Sequence, residues 1–484
     1  MSNKRPDNWR PGRRGADPAR QVAYEALLET ARQDAYVNLI LPRIIRRARL
    51  GKRDAAYATN LTYGTVRMQG RWDAIAAHCL NGRPFDDLDV EVQILLRLGI
   101  HQLLELGTPA HAAINETVTL TRNVLGTGAS GLVNAALHRA SERTLAQWQA
   151  QLKADAGGSV NSVQFLSQWF SHPAWIIRAL DAALKANGRT HKDLISLLQA
   201  DNAPAQVTLV ARGISIPELR EDIERGHMDS RPGTLVDSAL VLEGGDPHRV
   251  FAVKDRLAGV QDEGSQLVAK VLANSPLEGR DELWLDMCAG PGGKTATLAA
   301  LAAQRGIEVH ANELHEHRLD LVEQAVEPWS DIVALRLGEG QTLAEEEPEV
   351  YDRVLVDAPC TGIGALRRRP ESRWRKEAGD ALDLAKVQAE LLEAAWRVVR
   401  PGGLVLYSTC SPYVKETHDI VNAFVAAHAG EPREPVLLDT PQIASRESLV
   451  DFKGVDGHLQ LWPDLHSSDA MYMALIQKPV EENL

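Results

Sequence analysis

Two cysteines of this 484-residue chain stand where reactive side chains are expected. Cys360 ends the string Asp-Ala-Pro-Cys at 357–360, and Cys410 lies in Ser-Thr-Cys-Ser at 408–411, each just after a predicted buried strand. A thiolate in such a loop is a nucleophile, whereas a buried cysteine is ordinarily a packed apolar group. The neighbouring proline and polar residues favour the reactive interpretation at both positions.

The remaining cysteines and the histidines indicate neither a disulfide framework nor a metal site. Four cysteines are too few and too scattered for a disulfide-based fold of this length, and none has Cys-x-x-Cys spacing. His315 and His317 are two residues apart at a predicted helix start, where their side chains diverge, and His310 precedes them on a strand. We therefore expect no metal.

A glycine-rich loop directly follows the first strand of the predicted catalytic domain. Its residues are Cys288, Ala289, Gly290, Pro291, Gly292, Gly293 and Lys294. Small residues at the carboxyl end of such a strand let the backbone approach a ligand closely. A phosphate-binding P-loop would need glycine at the position of Cys288, and no G-x-G-x-x-G is present, so both nucleotide-phosphate motifs are excluded on spacing.

Three carboxylates follow three further strands of the same sheet. Glu313 ends the second strand at the spacing typical of a ribose-binding acid, Glu339 follows the third, and Asp357 ends the fourth. Any one of them is ordinarily a solvated strand-end acid, but three at successive strand ends predict a nucleoside ligand without a polyphosphate. Glu339 is the candidate for the adenine amino group.

Alternating strand and helix patterns place these motifs in a Rossmann-like α/β domain over 256–484 with a mostly parallel sheet. The predicted strands are Leu283–Met287, Ile307–Asn312, Ile332–Leu337, Arg353–Asp357, Leu404–Ser408 and Met471–Gln477. A helical stripe through Leu384, Leu391 and Val398 stops at Pro401-Gly402-Gly403, directly before one of them.

The rest of the chain divides into three regions. Residues 1–16 form a basic, flexible tail, and 17–145 have the apolar periodicity of an all-α domain, as in the stripe of Val92, Leu95 and Leu96. Residues 160–255 fit linker helices and a small α/β domain with strands at Gln206–Val210, Thr234–Val241 and Val250–Ala252. The fold class is therefore multidomain.

The net charge of this protein limits where it can bind a polyanion. The formal net charge is -12, so binding of nucleic acid depends on local basic patches. The N-terminal tail is one such patch. Contact with RNA and a solvated, disordered terminus are equally good interpretations of it. The second lies in one loop and contains Arg367, Arg368, Arg369, Arg373, Trp374, Arg375 and Lys376.

These motifs together resemble the RNA 5-methylcytosine methyltransferase family. The resemblance is carried by the strings at 288–294, 357–360 and 408–411, by Arg-Arg-Arg-Pro-Glu at 367–371, and by Gln-Asp-Glu-Gly-Ser-Gln at 261–266. The N-terminal region, with Asn-Leu-Thr-Tyr-Gly-Thr-Val-Arg at 60–67, resembles the NusB-like helical RNA-binding domain. The combination, over nearly the whole chain, is similar to bacterial enzymes that modify small-subunit (16S) ribosomal RNA.

The resemblance implies methyl transfer from S-adenosyl-L-methionine to C5 of a cytosine in RNA. Because C5 is a poor nucleophile, a thiolate must add to C6 before C5 can attack the methyl group. Residue chemistry does not say which of two thiols does so. The family implies that Cys410 attacks, that Cys360 helps release the product, and that Asp357 hydrogen-bonds the base edge or protonates N3.

The second basic patch follows Cys360 closely, which predicts that it grips phosphates around an extruded base. Arg367, Arg368, Arg369 and Arg373 would contact phosphates and Trp374 would stack, with a solvated charged loop as the alternative. Three departures from the family pattern remain. Glu313 and Glu339 replace the usual aspartates, Ala470-Met471-Tyr472 replaces glycine and two aromatics, and the middle region lacks an Arg-Val-Asn signature.

Two alternatives stay open at this point. In the first, the enzyme acts on transfer RNA, and sequencing of modified RNA distinguishes this substrate from ribosomal RNA. A different class is an RNA-binding adaptor with an inactive methyltransferase scaffold, which need not bind S-adenosylmethionine. The sequence shows neither a secretory signal nor an apolar run of transmembrane length, so we expect a cytoplasmic protein, and a monomer.

Overall fold

The computed structural model describes residues 15–33 and 35–480, so most of the predicted basic tail lies outside the described residues. The chain forms two compact units. The first contains the residues up to Ile177 together with Arg368–Arg375. The second contains Arg178–Arg367 and the chain from Lys376 onward.

The first unit is helical. Its helices are α1 (Pro18–Gln33), α2 (Val37–Ala48), α3 (Lys52–Arg67), α4 (Gln69–Cys79), α5 (Val90–Leu104), α6 (Ala110–Leu125), α7 (Thr127–Ser141), α8 (Leu145–Asp155) and α9 (Val163–Trp169). The predicted apolar stripe of α5 is buried. A Cβ on Gly99 would lie 2.6 Å from Leu137 on α7, so glycine permits the close approach of these two helices.

The basic loop contributes a short segment to this first unit, which the helical periodicity did not predict. Residues Pro370–Trp374 form one 3₁₀ helix. The fully buried guanidinium of Arg373 donates to the backbone oxygens of Arg67 and Ser171 at 3.1 and 3.0 Å. Glu371 accepts a 3.0 Å hydrogen bond from the backbone N–H of Val37. The segment is therefore held by buried polar contacts with the helices.

These contacts bear on the residues predicted to bind RNA. Arg373 has no exposed surface, so contact with a phosphate would require its guanidinium to leave two carbonyl partners. Arg369 and Trp374 are exposed, and Arg369 lies 4.6 Å above the ring of Tyr36. The same short segment thus contains one anchoring side chain and two that face solvent.

The second unit begins with a small α/β region after α10 (Ala174–Ala186), the helix at the boundary. Its elements are α11 (Leu194–Asp201), β1 (Thr208–Ala211), α12 (Ile216–Arg225), β2 (Ser230–Pro232), β3 (Ala239–Leu242), α13 (Phe251–Lys254) and β4 (Ala258–Val260). The four strands form an antiparallel sheet in the order β2-β3-β1-β4.

One predicted strand of this region was wrong. The apolar run Val250–Ala252 leads into helix α13, and the backbone N–H of Ala252 donates to Asp222 of α12 at 2.6 Å. The period of so short an apolar run does not distinguish a strand from a helix. The prediction also missed β2 and β4.

The rest of the second unit is an eight-stranded sheet with helices on both faces. Its strands are β5 (Leu283–Asp286), β6 (Glu308–Glu313), β7 (Val333–Leu337), β8 (Tyr351–Asp357), β9 (Val399–Thr409), β10 (Val436–Leu437), β11 (Leu459–Gln460) and β12 (Tyr472–Gln477). The order is β10-β12-β9-β8-β5-β6-β7, with β11 paired to β12. Strands β5 to β9 pair in parallel and β12 pairs antiparallel, which confirms the predicted Rossmann-like fold.

Alternate side chains of the central strands enter two separate cores. Leu355 and Leu406 pack with the helix α14 (Glu263–Asn274), whereas Val356 and Tyr407 pack with α18 (Ala378–Val398). This alternation is the period of two that a strand imposes on a sheet covered on both faces. The other helices are α15 (Gly293–Ala303), α16 (Glu316–Val326), α17 (Leu343–Glu346), α19 (His418–Ala427), α20 (Thr440–Arg446) and α21 (Pro463–His466).

No helix within the described ranges combines the length and the apolar character that spanning a membrane requires.

The buried role of Arg373 predicts an effect on stability. Replacing it with methionine, Arg373→Met, keeps much of the apolar volume but leaves two carbonyl oxygens without their donor. We expect the opening free energy of the first unit to fall by about 2–3 kcal/mol. Native-state hydrogen exchange of the α3 and α4 amides measures it. The exposed Arg369→Met control should change it by less than about 0.5 kcal/mol, and equal losses would contradict the anchoring role.

Candidate active site

Strands β8 and β9 bring the two predicted thiols together. In their parallel register Asp357 lies opposite Ser408, so both strands end at the same level of the sheet. Cys360 and Cys410 follow in the adjacent loops, and their sulfur atoms lie 3.4 Å apart. Both side chains retain partial exposure. The structure thus makes one site of two residues that are far apart in sequence.

A half-buried ion pair lies beside the thiols. The ammonium of Lys294, from the glycine-rich loop, contacts a carboxylate oxygen of Asp357 at 2.7 Å. Burial acts to lower the pKa of Lys294, but the charge of Asp357 and its hydrogen bond outweigh burial and raise the pKa. Lys294 is therefore a cation held close to Cys410.

The two thiols have pKa shifts of opposite direction. The contact with Cys360 lowers the pKa of Cys410 against its burial, while the nearby charge of Asp357 acts to raise that pKa and the charge of Lys294 acts to lower it. Cys360 has the opposite shift: its contact with Cys410, its burial and the nearby Glu416 all raise its pKa. Cys410 is consequently the member of the pair that forms a thiolate more readily.

The glycine-rich loop packs against the carboxylate that ends β6. The backbone N–H of Gly290 donates to Glu313 at 3.0 Å, and the N–H of His315 donates to its other oxygen, also at 3.0 Å. A Cβ on Gly290 would lie 2.3 Å from the Glu313 carboxylate, so glycine is required for this approach. The loop and Glu313 therefore form one continuous edge of the site at the ends of β5 and β6.

The buried Asn312 ties together the strands that present the predicted ligand carboxylates. Its side-chain amide donates to the backbone oxygens of Met287 and Gly338, both at 3.1 Å, which joins the ends of β5, β6 and β7. Glu339 follows at an exposed position after β7. Asn312 was not predicted, since an asparagine within a strand pattern has no distinguishing signal in one sequence.

Asp286 is a second residue that the sequence analysis missed. It ends β5 directly before the glycine-rich loop and is almost fully buried, with a 2.7 Å hydrogen bond from Thr295. Burial raises the pKa of Asp286 to about 7. Its position at a strand end before the loop was visible in the sequence, and the same argument that selected Glu313 would have selected it.

A third cluster lies near Cys410 and joins distant motifs. Asp262 accepts hydrogen bonds from the hydroxyl of Ser468 at 2.5 Å and from the backbone N–H of Asp469 at 3.1 Å. Arg367 lies 3.7 Å from Asp469 and 4.0 Å from Asp262, and is almost fully buried. Arg367, predicted to bind RNA, therefore forms ion pairs within the second unit.

Two protein-family models match this chain. The family model for the 16S rRNA methyltransferase RsmB/F matches residues 274–477, and the model for the NusB family matches 17–142. A Pseudomonas putida protein, Ribosomal RNA small subunit methyltransferase B, is 30% identical over 85% of this chain and 89% of its own. The chain belongs to the RsmB/F methyltransferase family. The family is S-adenosylmethionine-dependent.

Other relatives agree with this membership. The Mycobacterium tuberculosis protein named "Putative methyltransferase Rv1407" is 41% identical over 97% of this chain and 98% of its own. The crystal structure of PH0851 shares the fold, with a TM-score of 0.77, 21% identity and coverage of 96% of this chain and 99% of that one. The fold shared with PH0851 therefore extends over nearly the full length of this chain.

The histidines near the RsmB/F site do not gather with other ligands. His315 and His317 have ring centroids 5.7 Å apart, and His310 donates or accepts at Tyr351 and Glu308. In the ranges 15–33 and 35–480, no three side chains of the metal-binding types are placed to share an ion.

The opposite pKa shifts of the two thiols predict different rates of reaction with an alkylating reagent. At neutral pH, iodoacetamide should modify Cys410 faster than Cys360, measured by peptide mass spectrometry over time. Lys294→Met removes the nearby cation, raises the pKa of Cys410, and should slow its modification about tenfold. The control is Lys270→Met, which removes a different lysine that also pairs with an aspartate, Asp237. It should leave the modification rate of Cys410 unchanged. A faster reaction at Cys360 would contradict the assignment.

Proposed function

We propose that this protein transfers a methyl group from S-adenosylmethionine to C5 of a cytosine in RNA, through a covalent bond between Cys410 and C6. The observation that carries the proposal is the 3.4 Å contact between Cys360 and Cys410 beside the Lys294–Asp357 ion pair. A base that must be attacked, methylated and released needs a nucleophile and a second group at one point. Two thiols with different charge surroundings supply that pair.

The edge formed by the glycine-rich loop and Glu313 fits the methyl donor. The loop residues Cys288, Ala289, Gly290, Pro291, Gly292, Gly293 and Lys294 present closely approachable backbone, as the Gly290 contact with Glu313 illustrates. We assign Glu313 to the ribose hydroxyls, although it is almost fully buried and lies 3.5 Å from Arg318. The exposed Glu339 is the candidate for the adenine amino group. When bound, S-adenosylmethionine supplies an electrophilic methyl group on a sulfonium.

The chain's own residues carry the remaining steps. Cys410 adds as a thiolate to C6, which makes C5 nucleophilic, and Asp357 with Lys294 stabilises or protonates N3 as charge develops there. After methylation the C5 proton passes to water, the electron pair of the C5–H bond restores the C5–C6 double bond, and the bond between sulfur and C6 breaks to release Cys410 as a thiolate. Cys360 assists this elimination. Its raised pKa is consistent with a neutral thiol in the resting enzyme.

We assign RNA contact to the exposed members of the basic loop. Arg369 and Trp374 face solvent, so these side chains are available to phosphates and to a stacked base, whereas Arg368 is only partly exposed and already interacts within the protein. Arg367 is buried in ion pairs and Arg373 in contacts with carbonyl oxygens. These two side chains would support the loop and would not touch RNA themselves. The net charge of -12 makes such local contacts necessary for binding a polyanion.

Small-subunit ribosomal RNA is the substrate that we propose. The relatives of Pseudomonas putida and Bacillus subtilis are named Ribosomal RNA small subunit methyltransferase B and Probable ribosomal RNA small subunit methyltransferase B. The match of residues 17–142 to the NusB family supports an RNA-binding N-terminal domain. A monomer acting in the cytoplasm accords with this proposal.

The two thiols should fail in different ways. Cys410→Ala should abolish turnover and form no covalent adduct with RNA containing 5-fluorocytosine, because the attacking sulfur is gone. Cys360→Ala should accumulate the adduct with unmodified RNA, because elimination is slowed. Denaturing gel electrophoresis of protein-RNA adducts measures both. The buried Cys79→Ala is the control and should keep turnover. Exchanged behaviours of the two variants would overturn the roles.

The substrate is tested by bisulfite sequencing of RNA from a deletion strain. We expect one cytosine of small-subunit ribosomal RNA to lose its methylation, and wild-type protein, but not the Cys410→Ala variant, to restore it. Transfer RNA from the same cultures is the internal comparison. Loss of methylation in transfer RNA alone would overturn the ribosomal assignment and retain the chemistry.

A further inference from the structure

A fully buried carboxylate connects the loops that follow the two cysteines. One oxygen of Glu416 accepts a 2.7 Å hydrogen bond from the backbone N–H of Thr361, the residue after Cys360. The other accepts from the hydroxyls of Thr361 and Ser411, both at 2.5 Å, and Ser411 follows Cys410. A single side chain therefore holds both cysteine loops.

The wider network fixes Glu416 itself. Gln388 of α18 donates to Glu416 at 3.4 Å and to the backbone oxygen of Pro359 at 2.8 Å. The phenolic hydroxyl of Tyr407, on β9, donates to the backbone oxygen of Glu416 at 2.8 Å. The carboxylate is thus held between the strand that precedes Cys410 and the helix that follows the Cys360 loop, so its position is determined by the sheet.

The hydrogen-bond partners of the Glu416 carboxylate are neutral. A backbone amide, two hydroxyls and a side-chain amide compensate the cost of burying its charge. Each donor belongs to, or is bonded to, a cysteine loop, so loss of the carboxylate would leave several buried donors unsatisfied there. Glu416 is therefore a buried acid that joins the two cysteine loops through hydrogen bonds.

We propose that Glu416 is a positioning residue that sets the contact between Cys360 and Cys410 by holding Thr361 against Ser411. The proposal rests on the proposed function for its catalytic meaning, since a displaced Cys360 would assist elimination poorly. The charge of Glu416 also acts to raise the pKa of Cys360. The same side chain therefore influences both the position and the charge state of this thiol.

Oxidation of the purified protein by diamide tests the geometry without any substrate. Two adjacent thiols give up two protons and two electrons and form a disulfide, while the diazene becomes a hydrazine. Sulfur atoms in contact should react rapidly, and mass spectrometry of the peptides containing Cys360 and Cys410 follows the disulfide. Glu416→Ala should slow its formation by at least about tenfold, since lost buried hydrogen bonds free both loops. An unchanged rate would overturn the proposal.

Matched variants separate positioning from general destabilisation. Glu263→Gln alters another buried carboxylate, one that accepts from the backbone N–H groups of Leu235 and Val236, and should leave disulfide formation at the wild-type rate. If Glu416→Ala does not fold, Ser411→Ala removes one donor and retains the carboxylate. It should also slow the disulfide, and a wild-type rate in that variant would equally overturn the proposal.

Turnover measurements connect the geometry to catalysis. Glu416→Gln keeps an acceptor for the Thr361 N–H but presents an amide to hydroxyls that donate, so its kcat should fall about tenfold with KM for S-adenosylmethionine nearly unchanged. A loss expressed only in KM would contradict a positioning role. Retained turnover in Cys410→Ala would overturn the proposed function, whereas the disulfide rates would still decide the role of Glu416.

Discussion

Parallel pairing of β8 with β9 is the constraint on which the candidate site depends. Because Asp357 and Ser408 are opposite each other, the loops after both strands leave the sheet at one level and the sulfur atoms meet at 3.4 Å. The pairing is stable because alternate side chains of both strands fill two cores, one on each face. A slip of register would separate the thiols and reverse the faces.

Charged side chains reach the two cysteine loops from different parts of the second unit. Lys294 reaches the site from the loop after β5 and pairs with Asp357, while Glu416 reaches it from the segment after Cys410. Each charge is compensated locally, the first by its counter-ion and the second by hydrogen bonds, which is the condition for keeping charges inside a protein. The site therefore depends on polar contacts within a mostly apolar sheet edge.

The basic loop has a divided function in this fold. Its Arg367 forms ion pairs with Asp262 and Asp469 in the second unit, and Arg373 is buried among carbonyls in the first. Arg369 and Trp374 remain exposed. A run of arginines that looks uniform in the sequence thus contains both structural anchors and side chains available to a polyanion, because burial distinguishes neighbouring residues.

The sequence by itself determined the fold class, the glycine-rich loop and both thiol positions, because strand periodicity and local strings are properties of adjacent residues. It did not identify Glu416 or Asn312, nor did it distinguish Arg373 from Arg369. Those residues act through partners distant along the chain, such as Thr361 for Glu416. Only tertiary structure decides such pairings, since burial and hydrogen bonding between remote segments leave no period in the sequence.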